Sequence, residues 1–158
     1  MSIEFVRGDL FQWPGLRAFG HGCNCAGAMG KGIAVEFRRR FPAMFVEYKR
    51  RCADGSFKPG DVFAWTEGDL TVFNLGTQAT WKTRAELPFI EAAVVKAVSL
   101  AEQMGIAQVG LPRIGAGLGG LPWGPVKAAL SRIGVPAKVS LLVFEEYTPA
   151  RSGSAPPR

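Results

Sequence analysis

A three-layer α/β/α fold around a central mixed sheet follows from three features of this 158-residue chain. Apolar, strand-like runs mostly alternate with segments of helical period. One hairpin signal interrupts that alternation, so the sheet cannot be purely parallel. Finally, the two densest clusters of glycine, residues 21–34 and 111–123, each fall where a strand hands over to a helix.

Each element can be justified in turn. Ile3-Glu4-Phe5-Val6 alternates and then meets Gly8-Asp9, a first strand ending in a turn. Residues 17–23 form a short buried strand that leads into the first glycine loop. Ile33, Ala34, Phe37 and Phe41 recur at helical spacing until Pro42 stops the run. Residues 43–53 make a second helix, with Phe45 and Tyr48 on one side and basic residues on the other. Residues 61–65 and 70–75 flank the turn Glu67-Gly68-Asp69 as a β-hairpin. Residues 76–84 read as a variable loop before a long helix over 86–104, closed by Gly105. Residues 106–111 are the strand feeding the second glycine loop, and Pro125 suits the first turn of a helix ending near Ile133. Residues 138–144 are apolar on both faces and read as a central strand. No repeat or linker divides the chain, so a single domain is expected over 1–147, with a disordered Ser/Pro/Gly/Arg-rich tail over 148–158.

Composition narrows the function. Hydrophobic residues make up 47% and charged residues 20%, an ordinary globular balance. No apolar run nears the ~20 residues that span a bilayer, and the N-terminus lacks a signal-peptide pattern. A cytoplasmic protein without membrane partners is the expectation. Three cysteines, an odd number, argue against a disulfide framework. His21, Cys23 and Cys25 do not have a usual zinc spacing and read as small buried side chains, so no metal is expected. The net charge is +6, and the basic residues concentrate in Arg38-Arg39-Arg40, Lys49-Arg50-Arg51 and the tail's Arg151 and Arg158, either a solvated helix face or a surface for a polyanion.

The glycine loops carry the chemistry. Without Cβ atoms in the way, backbone N–H groups can surround an anion. Two such loops suggest phosphates held from both sides, as in a nucleotide diphosphate. The first loop fails as a Walker A site, because Cys25 stands where glycine is required and Gly32 where Ser or Thr would bind magnesium. The second contains G-x-G-x-x-G through Gly115, Gly117 and Gly120. It lies late in the chain between Pro112 and Pro122, with too little sequence after it for a dinucleotide domain.

Taken together, Val6-Arg7-Gly8-Asp9-Leu10, the Asn24…Met29-Gly30-Lys31-Gly32-Ile33-Ala34 loop and Pro112-Arg113-Ile114-Gly115-Ala116-Gly117-Leu118 before Trp123 resemble the macrodomain family. The resemblance covers roughly residues 3–145. It is greatest for the branch of terminal ADP-ribose protein glycohydrolases, which includes antitoxins acting on ADP-ribosylated DNA. It implies a macrodomain-like fold with ADP-ribose as ligand. Asp9, beside Leu10, would accept a hydrogen bond from the adenine amino group, or is a simple turn carboxylate. Asn24 and Met29 through Ala34 (Gly30, Lys31, Gly32, Ile33) would cover the distal ribose and part of the diphosphate. Asn24 can both donate to and accept from ribose hydroxyls, or it caps the loop as an Asx turn. Ile114, Gly115, Ala116, Gly117, Leu118 and Gly119 would cradle the diphosphate with backbone N–H groups. Phe144 is similar in position to the residue packing on adenine, or is plain core.

The same resemblance implies a monomer without a cofactor, acting on ADP-ribosylated protein, DNA or RNA in the reversal of ADP-ribosylation, as in a DNA damage response. It also exposes a break in the pattern. Similar hydrolases of this branch carry a lysine nucleophile and an assisting aspartate; here Gln78 and Gly119 occupy those positions. Glutamine is neither nucleophile nor base. Asn24, acting by positioning, is the remaining catalytic candidate. Two classes stay open: a hydrolase that releases ADP-ribose from a Glu/Asp ester or a nucleic acid, and a reader that binds without turnover.

Overall fold

The computed structural model describes residues 2–148. Its elements run β1 (Ile3–Gly8), β2 (Ala18–Asn24), α1 (Ala34–Arg40), α2 (Pro42–Ala53), β3 (Val62–Glu67), β4 (Leu70–Gln78), α3 (Leu87–Gln103), β5 (Gln108–Leu111), α4 (Trp123–Gly134) and β6 (Ser140–Tyr147). The six strands form one sheet in the order β1-β6-β5-β2-β4-β3. Every neighbouring pair is parallel except the β3–β4 hairpin, which makes β3 an antiparallel edge. The mixed sheet and the interior place of β6 both match the expectation from sequence.

Helices cover both faces, and each face has its own core. On one side α3 buries Ile90, Ala93, Val94, Ala97, Val98 and Ala101, a three-four spacing that puts all six on one stripe. They pack with Val126 and Leu130 of α4 against Val109, Leu141 and Val143 of the sheet. On the other side Phe37, Met44 and Tyr48 of α1 and α2 pack against Phe19, Phe63, Val72 and Phe144. Helix α3 ends in a Schellman arrangement: Gly105 adopts φ +73°, its N–H donates to Glu102 O, and the Ile106 N–H donates to Ala101 O.

Two boundaries differ from the sequence reading. Residues 76–78, expected in a loop, continue β4 as buried strand paired with Cys23 and Asn24 of β2. Gly76 permits this because a Cβ there would lie 2.7 Å from the Lys58 carbonyl oxygen, so the absence of a side chain lets two backbones meet. Helix α4 starts at Trp123 rather than Pro125, which still lies in its first turn. Residues 149–158, most of the expected disordered tail, lie outside the described residues.

Four of the six residues in the basic runs are ion-paired on the helix surface, and Arg38 and Lys49 lie over the Phe45 ring. Glu36 binds Arg39 and Arg40, Glu47 binds Arg50 and Arg51, and Arg50 also reaches Asp54. Such i,i+3 and i,i+4 pairs are ordinary helix support.

Candidate ligand-binding cleft

In the parallel part of the sheet all strands point the same way, so the segments leaving their C-terminal ends share one edge. This edge is where open α/β sheets build their sites. Asp9 leaves β1, the first glycine loop leaves β2, Gln78 closes β4, and the second glycine loop leaves β5. Between the two glycine loops lies a cleft of about 500 Å³.

The first loop is shaped by one side chain. Asn24 Oδ1 accepts the N–H of Ala26 at 2.9 Å and of Ala28 at 3.3 Å, while its Nδ2 donates to Ala28 O at 2.8 Å. The Tyr48 hydroxyl, arriving from α2, donates to the Asn24 main-chain oxygen at 2.7 Å. Met29, almost fully buried, forms part of the cleft wall. Beyond this anchored segment, the N–H groups of Gly30 through Ala34 meet no acceptor among the described residues.

The second loop is shaped by its own backbone. Ile114 N–H donates to Pro112 O, Ala116 to Arg113 O, Gly120 to Gly117 O and Leu121 to Gly115 O. Those bonds leave the N–H groups of Gly115, Gly117, Leu118 and Gly119 without an acceptor among the described residues. The loop is also tied to its surroundings, as Gly119 O accepts the Ala85 N–H at 2.9 Å and Gly120 O accepts from Arg84 Nη2 at 2.8 Å. The exposed Leu118 leans across the mouth, placed so that a Cβ on Gly32 would lie 3.2 Å from its Cδ1.

Unpaired backbone donors therefore face one cleft from two sides. Lys31 and Arg113 add positive charge, and no carboxylate lies on the wall among the described residues. Gly30, Lys31, Gly32, Gly117 and Leu118 are exposed, so water can accept from these donors until a ligand with acceptor oxygens replaces it. An anion with several acceptor oxygens is the natural occupant.

The residues expected from sequence divide into two groups. Asn24, Met29, Gly30, Lys31, Gly32, Ile33, Ala34, Gln78, Ile114, Gly115, Gly117, Leu118 and Gly119 all come to the cleft wall. Asp9, Leu10, Ala116 and Phe144 do not. Asp9 caps its own turn, with Oδ1 accepting the Phe11 N–H at 2.9 Å. Leu10 and Phe144 have no exposed surface, and Phe144 packs edge-on against Trp13 in the core, so neither side chain is free to meet a ligand. Asn24 reaches the wall and folds the loop as an Asx turn does, with Oδ1 and one Nδ2 hydrogen bonded within the loop.

Sequence reasoning missed Gly22, Cys23, Thr77, Trp81, Pro112 and Arg113 as wall residues. Thr77 was hidden by reading the end of β4 as loop. Trp81, 59% exposed at the rim, carried a signal that periodicity does not register: a large aromatic inside a polar turn.

One pair imitates a nucleophile and its base. Cys23 Sγ lies 3.6 Å from His21 Nε2. Yet Nε2 is already bonded to Asn74 Oδ1 at 2.8 Å, and the ring is stacked on Phe37. Burial pulls the imidazole pKa down to about 4, with only partial opposition from Asn74, and burial pushes the Cys23 thiol well up. Both groups stay neutral, so the thiol is not activated. Cys25, its pKa raised to about 12 chiefly by burial, is no better a nucleophile.

Comparison with known proteins agrees with this geometry. A model of the Macro domain matches residues 21–130. A DNA ADP-ribosyl glycohydrolase of Mycobacterium tuberculosis is 34% identical over 132 residues, covering 81% of this chain and 37% of that protein. Another from Thermus aquaticus is 33% identical, covering 79% and 36%. The chain thus spans little more than a third of the length of these curated relatives. Among solved structures, the macrodomain of Thermus aquaticus DarG superposes with a TM-score of 0.83 at 30% identity, covering 90% of this chain and 97% of that one. With three characteristic loops on one edge of a six-stranded mixed sheet, and a family model matched across most of its length, this chain belongs to the Macro domain family.

Proposed function

We propose that this chain binds ADP-ribose in the cleft between its glycine loops and hydrolyses its linkage to a modified macromolecule, with ADP-ribosylated DNA as the leading substrate. The single observation behind binding is the pair of loops presenting unpaired N–H groups to a wall without carboxylates. A diphosphate placed between them would accept from both loops at once. The preference for DNA rests on the relatives, which are named for that activity.

Hydrolysis here would proceed without a protein nucleophile. Water adds its hydroxyl to the anomeric carbon of the distal ribose, and the departing macromolecule takes the proton. The chain's contribution is to hold the sugar and diphosphate in one geometry, and orientation alone can supply several kcal/mol. Incubation with an ADP-ribosylated oligonucleotide, and separately with Glu-linked ADP-ribosylated protein, tests this through release of free ADP-ribose. Release from the oligonucleotide supports the reading, and release from protein alone reassigns the substrate.

A reader that binds without turnover is favoured by a different observation. Gln78 and Gly119 stand where the resemblance places lysine and aspartate, and Gly119 has no room for a side chain: a Cβ would lie 2.6 Å from Gly115 O and 2.9 Å from Ala85 Cβ. Retained ADP-ribose affinity with no release from either substrate would establish the reader.

A further inference from the structure

The chain has four tryptophans, and the indoles of all but Trp81 are engaged. Trp13 packs edge-on against Phe144, Trp65 packs on Phe63 and donates to Glu67, and Trp123 donates to Glu145 beneath Arg113. Trp81 is 59% exposed at the cleft rim, and its indole makes no hydrogen bond or ring contact among the described residues. The turn that carries it is nonetheless held firmly. Gln78 Nε2 donates to Thr80 O at 2.9 Å and to Thr83 O at 2.8 Å. Thr80 N–H donates to Thr83 Oγ1 at 3.0 Å, and Thr80 Oγ1 accepts from the N–H groups of Lys82 at 3.1 Å and Thr83 at 3.2 Å. Cations without ion pairs collect around this turn. Lys31 stands on the cleft wall, and the exposed Lys82 and Arg84 follow Trp81; none of them meets a carboxylate among the described residues. On other faces Arg17, Lys96, Lys127 and Arg132 each hold one.

We infer that Trp81 is a stacking platform for a base of the DNA strand that carries the ADP-ribose, with Lys82 and Arg84 beside it to meet that strand's phosphates. This rests on the reading of ADP-ribosylated DNA as the substrate. Three considerations select a nucleic acid strand over the ligand inside the cleft and over a modified protein. Lys82 and Arg84 are not on the cleft wall, so the charged strip beside the ring serves what projects from the cleft rather than what fills it. A flat indole paired with cations that hold no carboxylate matches a polymer in which flat bases alternate with phosphates. Every base offers a π-face, so the platform works whichever base neighbours the modified one. A protein chain supplies neither repeat. The threonine turn fixes the backbone under the ring before anything binds, so stacking is offset by little ordering cost. A base inside a duplex has its faces covered by its neighbours, so the base on Trp81 is one drawn out of the stack.

The test compares three probes on the whole chain: free ADP-ribose, a single-stranded ADP-ribosylated DNA oligonucleotide, and Glu-linked ADP-ribosylated protein. Affinity is read as KM where ADP-ribose is released and as Kd where it is not. Trp81→Ala should lose about tenfold more affinity for the oligonucleotide than for free ADP-ribose, the scale of one lost base stack. Trp81→Phe keeps a ring and should recover most of that difference. Lys82→Ala should make the oligonucleotide's salt dependence shallower by about one phosphate contact. An equal loss for the oligonucleotide and free ADP-ribose would place the ring on the ligand itself, and an equal loss for the modified protein would make it a general cover; either overturns the inference. So does an unchanged oligonucleotide affinity in Trp81→Ala, which leaves the substrate reading intact. A wild type that takes the modified protein but not the oligonucleotide would overturn the DNA reading, and the inference with it.

Discussion

The loop after β2 and the loop after β5 approach the same cleft with unpaired N–H groups, yet they are held by opposite means. The first is pinned by side chains: Asn24 gathers Ala26 and Ala28, and Tyr48 reaches over from α2 to hold Asn24. The second is pinned mainly by backbone, through four internal N–H···O bonds and two carbonyls tied outward, one to the Ala85 N–H and one to the Arg84 side chain. One glycine of each loop differs accordingly. Gly30, in the first loop, has nothing within 4 Å of where a Cβ would sit, whereas Gly119 has backbone at 2.6 Å. The first loop is therefore vulnerable to removing Asn24, and the second to adding atoms at Gly119.

The largest effect should come from adding atoms to the second loop. Gly119→Glu forces apart Gly119 and Gly115 O and sets a negative charge beside the phosphate cradle, and it should abolish ADP-ribose binding in a variant shown by circular dichroism to be folded. Even Gly119→Ala should destabilise the fold by about 1–3 kcal/mol in a denaturant melt, the usual cost of overpacking. Tight binding by the glutamate variant would mean the second loop does not hold the diphosphate.

Acid should act on the first loop's side of the molecule. His21 lies on β2 just before that loop, with its pKa near 4 against an ordinary 6.5 because burial excludes the charged form. Below pH 6.5 the unfolded chain takes up a proton that the folded chain refuses. The stabilisation is fully present above pH 6.5 and is lost as pH falls toward 4, on the order of 3 kcal/mol in all. Thermal melts across that range should show a steeper loss for wild type than for His21→Gln; parallel curves would contradict a buried neutral imidazole.

Removing atoms from the first loop should cost less than Gly119→Glu, but should still be measurable. Asn24→Ala deletes the hub of the loop and should weaken ADP-ribose binding by about 1–3 kcal/mol. In a hydrolase, the displaced sugar should slow turnover by ~10²-fold. Tyr48→Phe removes only the hydroxyl over Asn24 and should cost about 1 kcal/mol of stability by denaturant melt. Gly30→Ala should be smallest, within about 0.5 kcal/mol in binding, since open space surrounds the site and its φ is not positive. A large Gly30→Ala effect would erase the contrast between the loops.

The resemblance to macrodomains rested on short stretches of residues in the right order, and order along a chain survives folding. That is why the cleft loops were legible: Gly30 through Ala34 and Ile114 through Gly119 sit in strand-to-helix junctions, and all parallel strands deliver such junctions to one edge. The β4 extension through Gln78 was not legible. Gly76-Thr77-Gln78 lacks an apolar strand pattern of its own and is strand only because β2 pairs with it.

Local periodicity and glycine placement thus determined the α/β layering, the mixed sheet and the two anion-seeking loops, because backbone preference and burial of one face act over a few residues. Only the tertiary structure decided what each polar side chain has left to offer. Asn24 Oδ1 is spent on its own loop and on the Tyr48 hydroxyl from 24 residues away, and Phe144 packs edge-on against Trp13. Gln78 is left with one free acceptor because a threonine turn takes both of its hydrogens. Hydrogen-bonding capacity is spent through contacts in space, and no local pattern in the chain records which groups will meet.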